Sequence, residues 1–200
     1  MLKLYYEVQI KRPDGTIRKR IKRRLSHSFT KQFLQIVEGT MMHRYATSEG
    51  GANVLDVGNT SRAVNMTNAA GVLYWAMQGA VSNAAYGIVV GTGTNAESVS
   101  DYKLQTQCAE GVGASQLQHS IGSCVPTIVV GSDVFFSILR TFLNASGSTI
   151  TVTEIGIYLA DYCGDAVVHY FCLARDKLAA GVDVDNAEIM TVQYTFKTTN

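Results

Sequence analysis

The chain has 200 residues, 46% hydrophobic and 16% charged, with 18 glycines, two prolines and a net charge of +1. A chain of this size buries about two-thirds of its unfolded surface in one core, and the composition excludes a disordered or proline-rich linker protein. No apolar run reaches membrane-spanning length, and Lys3, Glu7 and Lys11 break the apolar run of a signal peptide, so a soluble chain without an export leader is expected.

The total charge conceals an asymmetry. Residues 1–24 carry nine lysines and arginines against Glu7 and Asp14, a local charge of +7, and the remainder carries −6. A basic end on an acidic body points to an attachment surface. Leu2, Leu4, Tyr6, Val8 and Ile10 alternate with Lys3, Tyr5, Glu7, Gln9 and Lys11, the period of a half-buried strand. Pro13-Asp14-Gly15-Thr16 is turn chemistry, and the chain returns with Ile17, Lys19, Ile21, Arg23 and Leu25 against Arg18, Arg20, Lys22 and Arg24. Residues 2–25 therefore predict a β-hairpin whose second strand is basic on its outer face.

Ser26 or Ser28 can cap a helix carrying Phe29, Phe33, Ile36 and Val37 at helical spacing, with Gly39 as its stop. Short strands are expected over 53–65 and 72–78. From there the pattern is strand after strand, over 86–90, 116–121, 134–143, 149–159, 167–175 and 189–197, with loops over 91–103 and 176–187. The apolar phase flips at Thr153-Glu154, which predicts a β-bulge. The fold class is mainly β: an antiparallel β-sandwich, jelly-roll-like or a partial barrel, with an N-terminal hairpin and one short helix. Residues 1–45 form the basic docking element and 46–200 the body.

Chemistry is sparse. The nucleophile elbow and the zinc motifs are absent, and His27, His43, His119 and His169 are dispersed. Cys108, Cys124, Cys163 and Cys172 lack metal spacing and are expected as reduced, small hydrophobic residues, with a Cys163–Cys172 bridge across a hairpin left open. Gly91-Thr92-Gly93-Thr94-Asn95-Ala96 fits a dinucleotide fingerprint, but residues 97–101 lack the helix that would present amides to phosphate, so a tight inter-strand turn is expected. The acids show no spacing that demands a paired-carboxylate site; Glu154 is expected to pair with Arg140 or Arg175 in a structural role. No catalytic residue, cofactor or metal is expected. The Arg18–Arg24 stripe suits phosphates in a major groove, an acidic protein surface or a partner's sheet edge.

The sequence resembles structural proteins of tailed bacteriophages. The residues that carry the likeness are Gly91-Thr92-Gly93-Thr94 with Asp101-Tyr102-Lys103-Leu104, then 140–147, Val152-Thr153-Glu154-Ile155-Gly156-Ile157-Tyr158, 173–176 and the closing Thr191-Val192-Gln193-Tyr194-Thr195-Phe196. The resemblance implies a non-enzymatic virion protein, made in the host cytoplasm and assembling as a trimer or hexamer. Tail or fibre attachment leads, with head decoration or a nucleic-acid-binding module as alternatives. Arg18, Arg20, Lys22, Arg24, Phe29 and Phe33 are then the expected docking residues for other virion proteins, and Met41, Met42 and Tyr74 the expected oligomer interface, with Trp75 in the core.

Overall fold

The computed structural model describes residues 2–26, 29–41, 53–63, 75–163, 165 and 167–199. The basic hairpin is β1 (Lys3–Lys11) and β2 (Ile17–Leu25), turned at Gly15, whose φ of 89° suits glycine. Leu4, Tyr6, Val8 and Ile10 of β1 are buried, as the alternation requires.

The helix α1 (Lys31–Met41) begins later than the serines suggest. Ser26 Oγ donates to Asp176 Oδ2 at 2.9 Å instead of capping, and Ser28 lies outside the described residues. Gly39 sits within α1 and does not end it. At 11 residues α1 is too short to cross a membrane.

Within the expected strand 53–65, residues 53–63 fold as a small hairpin, β3 (Asn53–Leu55) and β4 (Ser61–Ala63), and residues 64–65 lie outside the described residues. In 72–78, residues 72–74 lie outside the described residues, and Ala76 makes a single bridge to Ala160. The rest is β5 (Gly87–Gly91), β6 (Ala109–Glu110), β7 (Gln116–His119), β8 (Ser123–Val130), β9 (Asp133–Leu143), β10 (Ile150–Tyr162), β11 (Val168–Val184) and β12 (Ile189–Thr199).

Two elements depart from expectation. β8 lacks alternation and carries Pro126 in its register break between Val125 and Ile128, so it does not read as a strand. β11 continues through residues 176–184, where a loop was expected. Its pairing with β10 breaks between Val152 and Glu154, where the phase flip predicts a bulge, and the surplus residues are 178–181 of β11.

The larger sheet runs β2-β1-β12-β9, with β7 and β8 along the far edge of β9 and β6 beyond β7. The smaller sheet runs β11-β10-β5. All pairs are antiparallel except β6–β7. The sheets share one core: Leu4, Val8 and Ile10 of β1 and Met190, Val192 and Phe196 of β12 meet Val152, Ile155, Ile157 and Leu159 of β10 and Phe171 of β11. Each fully buried side chain of this kind stabilises by about 1.5–3 kcal/mol relative to exposure. β1 pairs with β12 along its whole length, which builds the basic hairpin into the larger sheet. The smaller sheet is also covered on its outer face, where Val89, Tyr158 and Cys172 pack under Leu104 of the 92–108 loop.

Candidate functional site

The cations of β2 do not form the single outer stripe that simple alternation predicts. Register with β1 breaks between Tyr6 and Val8 and again between Ile10 and Lys11. The first break sets Arg24 opposite Tyr6, so both side chains lie on the inward-facing side of the hairpin. Arg23 takes the outer position, its guanidinium carbon 5.9 Å from the ring centroids of both Tyr5 and Phe135. Arg18 folds back onto Glu188, with Nε at 2.7 Å and Nη2 at 2.6 Å from the carboxylate, and Arg20 pairs with Glu7 at 2.7 Å. Lys22, Arg24 and Lys177 form no ion pair with a carboxylate of the described residues.

The chain then crosses from one sheet to the other. Ser26 N–H donates to Leu4 O at 2.8 Å, and Thr30 N–H to Leu173 O at 3.0 Å. Below this crossing, Lys19 Nζ donates to Gly181 O at 3.1 Å and Arg18 Nη2 to Asp183 O at 2.6 Å. Between the two ties lies a slot along β2 and β11, lined by Tyr6, Lys19, Ile21, Arg24, Lys177 and Ala179, with Glu97 at its lip. Behind it, Asp176 accepts from Tyr194 Oη and Ser26 Oγ, each at 2.9 Å. Burial, and then the charge of Asp176, hold the Tyr6 hydroxyl pKa above its ordinary value.

Phe29 and Phe33 stack at 4.2 Å between centroids, and Phe29 lies 6.4 Å from Phe196. Both pack against the core, where they fix α1 on β11. Trp75 also packs against the core. Met41 ends α1, but its side chain, Met42 and Tyr74 lie outside the described residues.

The glycine turn is filled from within. Glu154, fully buried, accepts from the amides of Gly93 (3.1 Å), Thr106 (2.8 Å) and Gln105 (3.0 Å). Side chains at residues 91 or 93 would run into Glu154, so both positions demand glycine, and the amides a phosphate would need are already occupied. Of its two expected partners, Glu154 pairs with Arg175, whose Nε donates at 2.8 Å. Arg175 also holds Asp101 at 2.7 Å and the carbonyls of Asn95 and Ala96. Arg140 instead gives its five donors to the carbonyls of Ser120, Tyr86, Ile88, Ala80 and Asn83.

The remaining reactive groups are held quiet. Burial pushes the Cys108 thiol up to about 11 and Cys163 up to about 12, and raises Cys172 further. All four cysteines are free, so Cys163 and Cys172 are not bridged; Cys124 is exposed and the other three are buried. His119 Nδ1 lies 2.8 Å from Glu110, and burial, then Arg140, lower its pKa. His169 lies between Asp165 at 2.8 Å and Asp56 at 3.6 Å. Among the described residues no group of three His, Cys, Asp or Glu side chains is placed to hold a metal.

No family model, no curated protein and no solved structure matches this chain. The geometry therefore has to carry the functional argument. Two of its features escaped the sequence: the β11 wall of the slot, and the exposed strand β8. Every residue of β8 is solvent-exposed, with Ile128 at 42%, Val129 at 69% and Val130 at 59%.

Proposed function

We propose that this chain is a non-enzymatic structural subunit of a tailed-bacteriophage particle, assembling in symmetric copies as a tail or fibre-attachment protein. The observation that carries the reading is β8. Eight consecutive residues without a charge stand exposed at the edge of the larger sheet, beside half-buried Phe135. An exposed apolar edge strand is an association site unless it is managed. Pro126 interrupts it as a hydrogen-bonding edge, which leaves its apolar faces as the contact surface. A second copy of the chain suits it, because β8 brings no charge that would repel its own kind. The other edge, β2, carries six cations and opposes such pairing.

The resemblance of the strand sequences to tailed-phage structural proteins supplies the biological setting. Buried thiols with raised pKa values, and a glycine turn occupied by Glu154, fit a scaffold better than a catalyst. Head decoration remains the second reading within the same class.

Light scattering coupled to gel filtration tests the reading. A trimer, hexamer or larger ring that persists at high salt and carries no nucleic acid is expected. Ile128→Lys with Val129→Lys should reduce it to monomers without loss of β-structure. A wild-type chain that stays monomeric at every concentration overturns self-assembly through β8, and nucleic acid shed only at high salt favours the nucleic-acid-binding alternative.

A further inference from the structure

We propose that the slot between β2 and β11 binds an extended acidic segment of a partner protein. Two adjoining cavities of about 420 and 130 Å³ occupy it and share Tyr6, Arg24 and Ala179 in their linings. Ser26, bonded to Leu4, and Thr30, bonded to Leu173, mark one end, and the Arg18 and Lys19 ties to β11 close the other. From Lys19 to Leu25 the wall runs about 20 Å at ~3.3 Å per residue, room for about five or six extended residues. The surplus residues of β11 shape the opposite wall. Ala179 and Ala180 are exposed there, and their short side chains leave the space open.

Charge selects the occupant. Among the described residues, Lys19, Arg24 and Lys177 line the slot against a single acid, Glu97. Arg18 and Arg20 are neutralised by Glu188 and Glu7, whereas Arg24 and Lys177 meet no carboxylate of the described residues. Asp176 lies close by, but its carboxylate is turned inward onto Tyr194 and Ser26. Ile21, Leu25 and the two alanines supply apolar contact between the cations. An extended chain alternating acids with small apolar side chains matches both requirements. Among the described residues β2 is the edge strand of the larger sheet, but its two bulges preclude a long ladder, so side chains must carry the recognition.

Nucleic acid fits less well. A duplex is too wide for the slot, and among the described residues the one aromatic ring in the lining, Tyr6, is 7% exposed, too little for base stacking. The inference does not rest on the particle reading, since it holds for a monomer as well as for an assembled subunit.

Fluorescence anisotropy of a labelled hexapeptide alternating Glu and Val tests it on the full chain, with a Lys–Val peptide and a short DNA duplex as controls. The Glu–Val peptide should bind and the Lys–Val peptide should not. Arg24→Gln with Lys177→Gln should weaken binding about ten-fold, and Glu97→Gln should strengthen it. Both cations are exposed, so thermal unfolding of the double variant should match the parent, which separates lost binding from lost folding. Equal binding of the two peptides, no effect of the double variant, or tighter binding of the duplex at the same salt overturns the proposal.

Discussion

At the seam between β5 and β9, Arg140 is buried and all five of its N–H donors end on main-chain carbonyls; at the opposite seam, between β2 and β11, Arg24 and Lys177 face an open slot. The same class of side chain does two different jobs. Arg140 is fixed because five main-chain carbonyls, Ile88 of β5 among them, converge on a planar fork of matching geometry. Arg24 is left available because the bulge sets it opposite Tyr6, away from Glu7, which neutralises Arg20. Burial with matched acceptors makes a charge structural, and exposure without a partner leaves it for recognition.

The comparison can be broken in three places. The largest effect is expected for Arg140→Met, which leaves five carbonyls without their donors; unfolding in urea should register a loss of about 3–5 kcal/mol. A loss no greater than that of an ordinary surface substitution would show that Arg140 does not lock its seam. Glu154→Gln should cost about 2–3 kcal/mol, because an amide NH₂ must face donors that a carboxylate accepts. It should also speed hydrogen exchange at Gly93, Gln105 and Thr106, whereas unchanged protection there would free the loop from this clasp.

The smallest effect concerns Asp161, a fully buried acid on β10 whose setting is less well matched. Burial pushes its carboxyl up to about 7, against the Tyr162 amide, which donates to Oδ1 at 2.8 Å and pulls it down. The unfolded chain gives up this proton near 3.8 while the folded chain keeps it, so stability falls as pH rises from about 4 to 7 and is level above that. Asp161→Asn should remove the decline and raise the melting temperature at pH 8 by about 2–4 °C. Parallel pH profiles for parent and variant would mean that Asp161 is not strained by its burial.

Strands with one buried face were legible in the sequence. β1 and β12 alternate because Leu4, Tyr6 and Val8 must meet Phe196, Tyr194 and Val192 on one side of the sheet. The irregularity beside Glu154 was legible too, since a phase flip inside an apolar strand has few other causes. β8 was not, because a strand exposed on both faces keeps no period. The slot was half legible: its β2 wall lies in the basic run, whereas Glu97 and Lys177 arrive from distant segments through sheet register. The stripe misled because period-two reasoning assumes that every residue advances the strand equally, and the two bulges of β2 break that assumption at the cations concerned.

The pairing of β1 with β12 also constrains how the protein is made. Tyr6 lies beside Tyr194 and Ile10 beside Met190, so the first strand, already paired with β2 on one side, finds its other sheet neighbour only once the distant β12 has been synthesised. At ~5–20 residues per second, the apolar row Leu4, Tyr6, Val8 and Ile10 waits roughly 10–40 s for its cover. Such high contact order makes for slow folding, and the nascent hairpin is the segment most in need of a chaperone. The dense positive charge of β2 then acts at once, keeping unfinished chains on neighbouring ribosomes apart until β12 emerges.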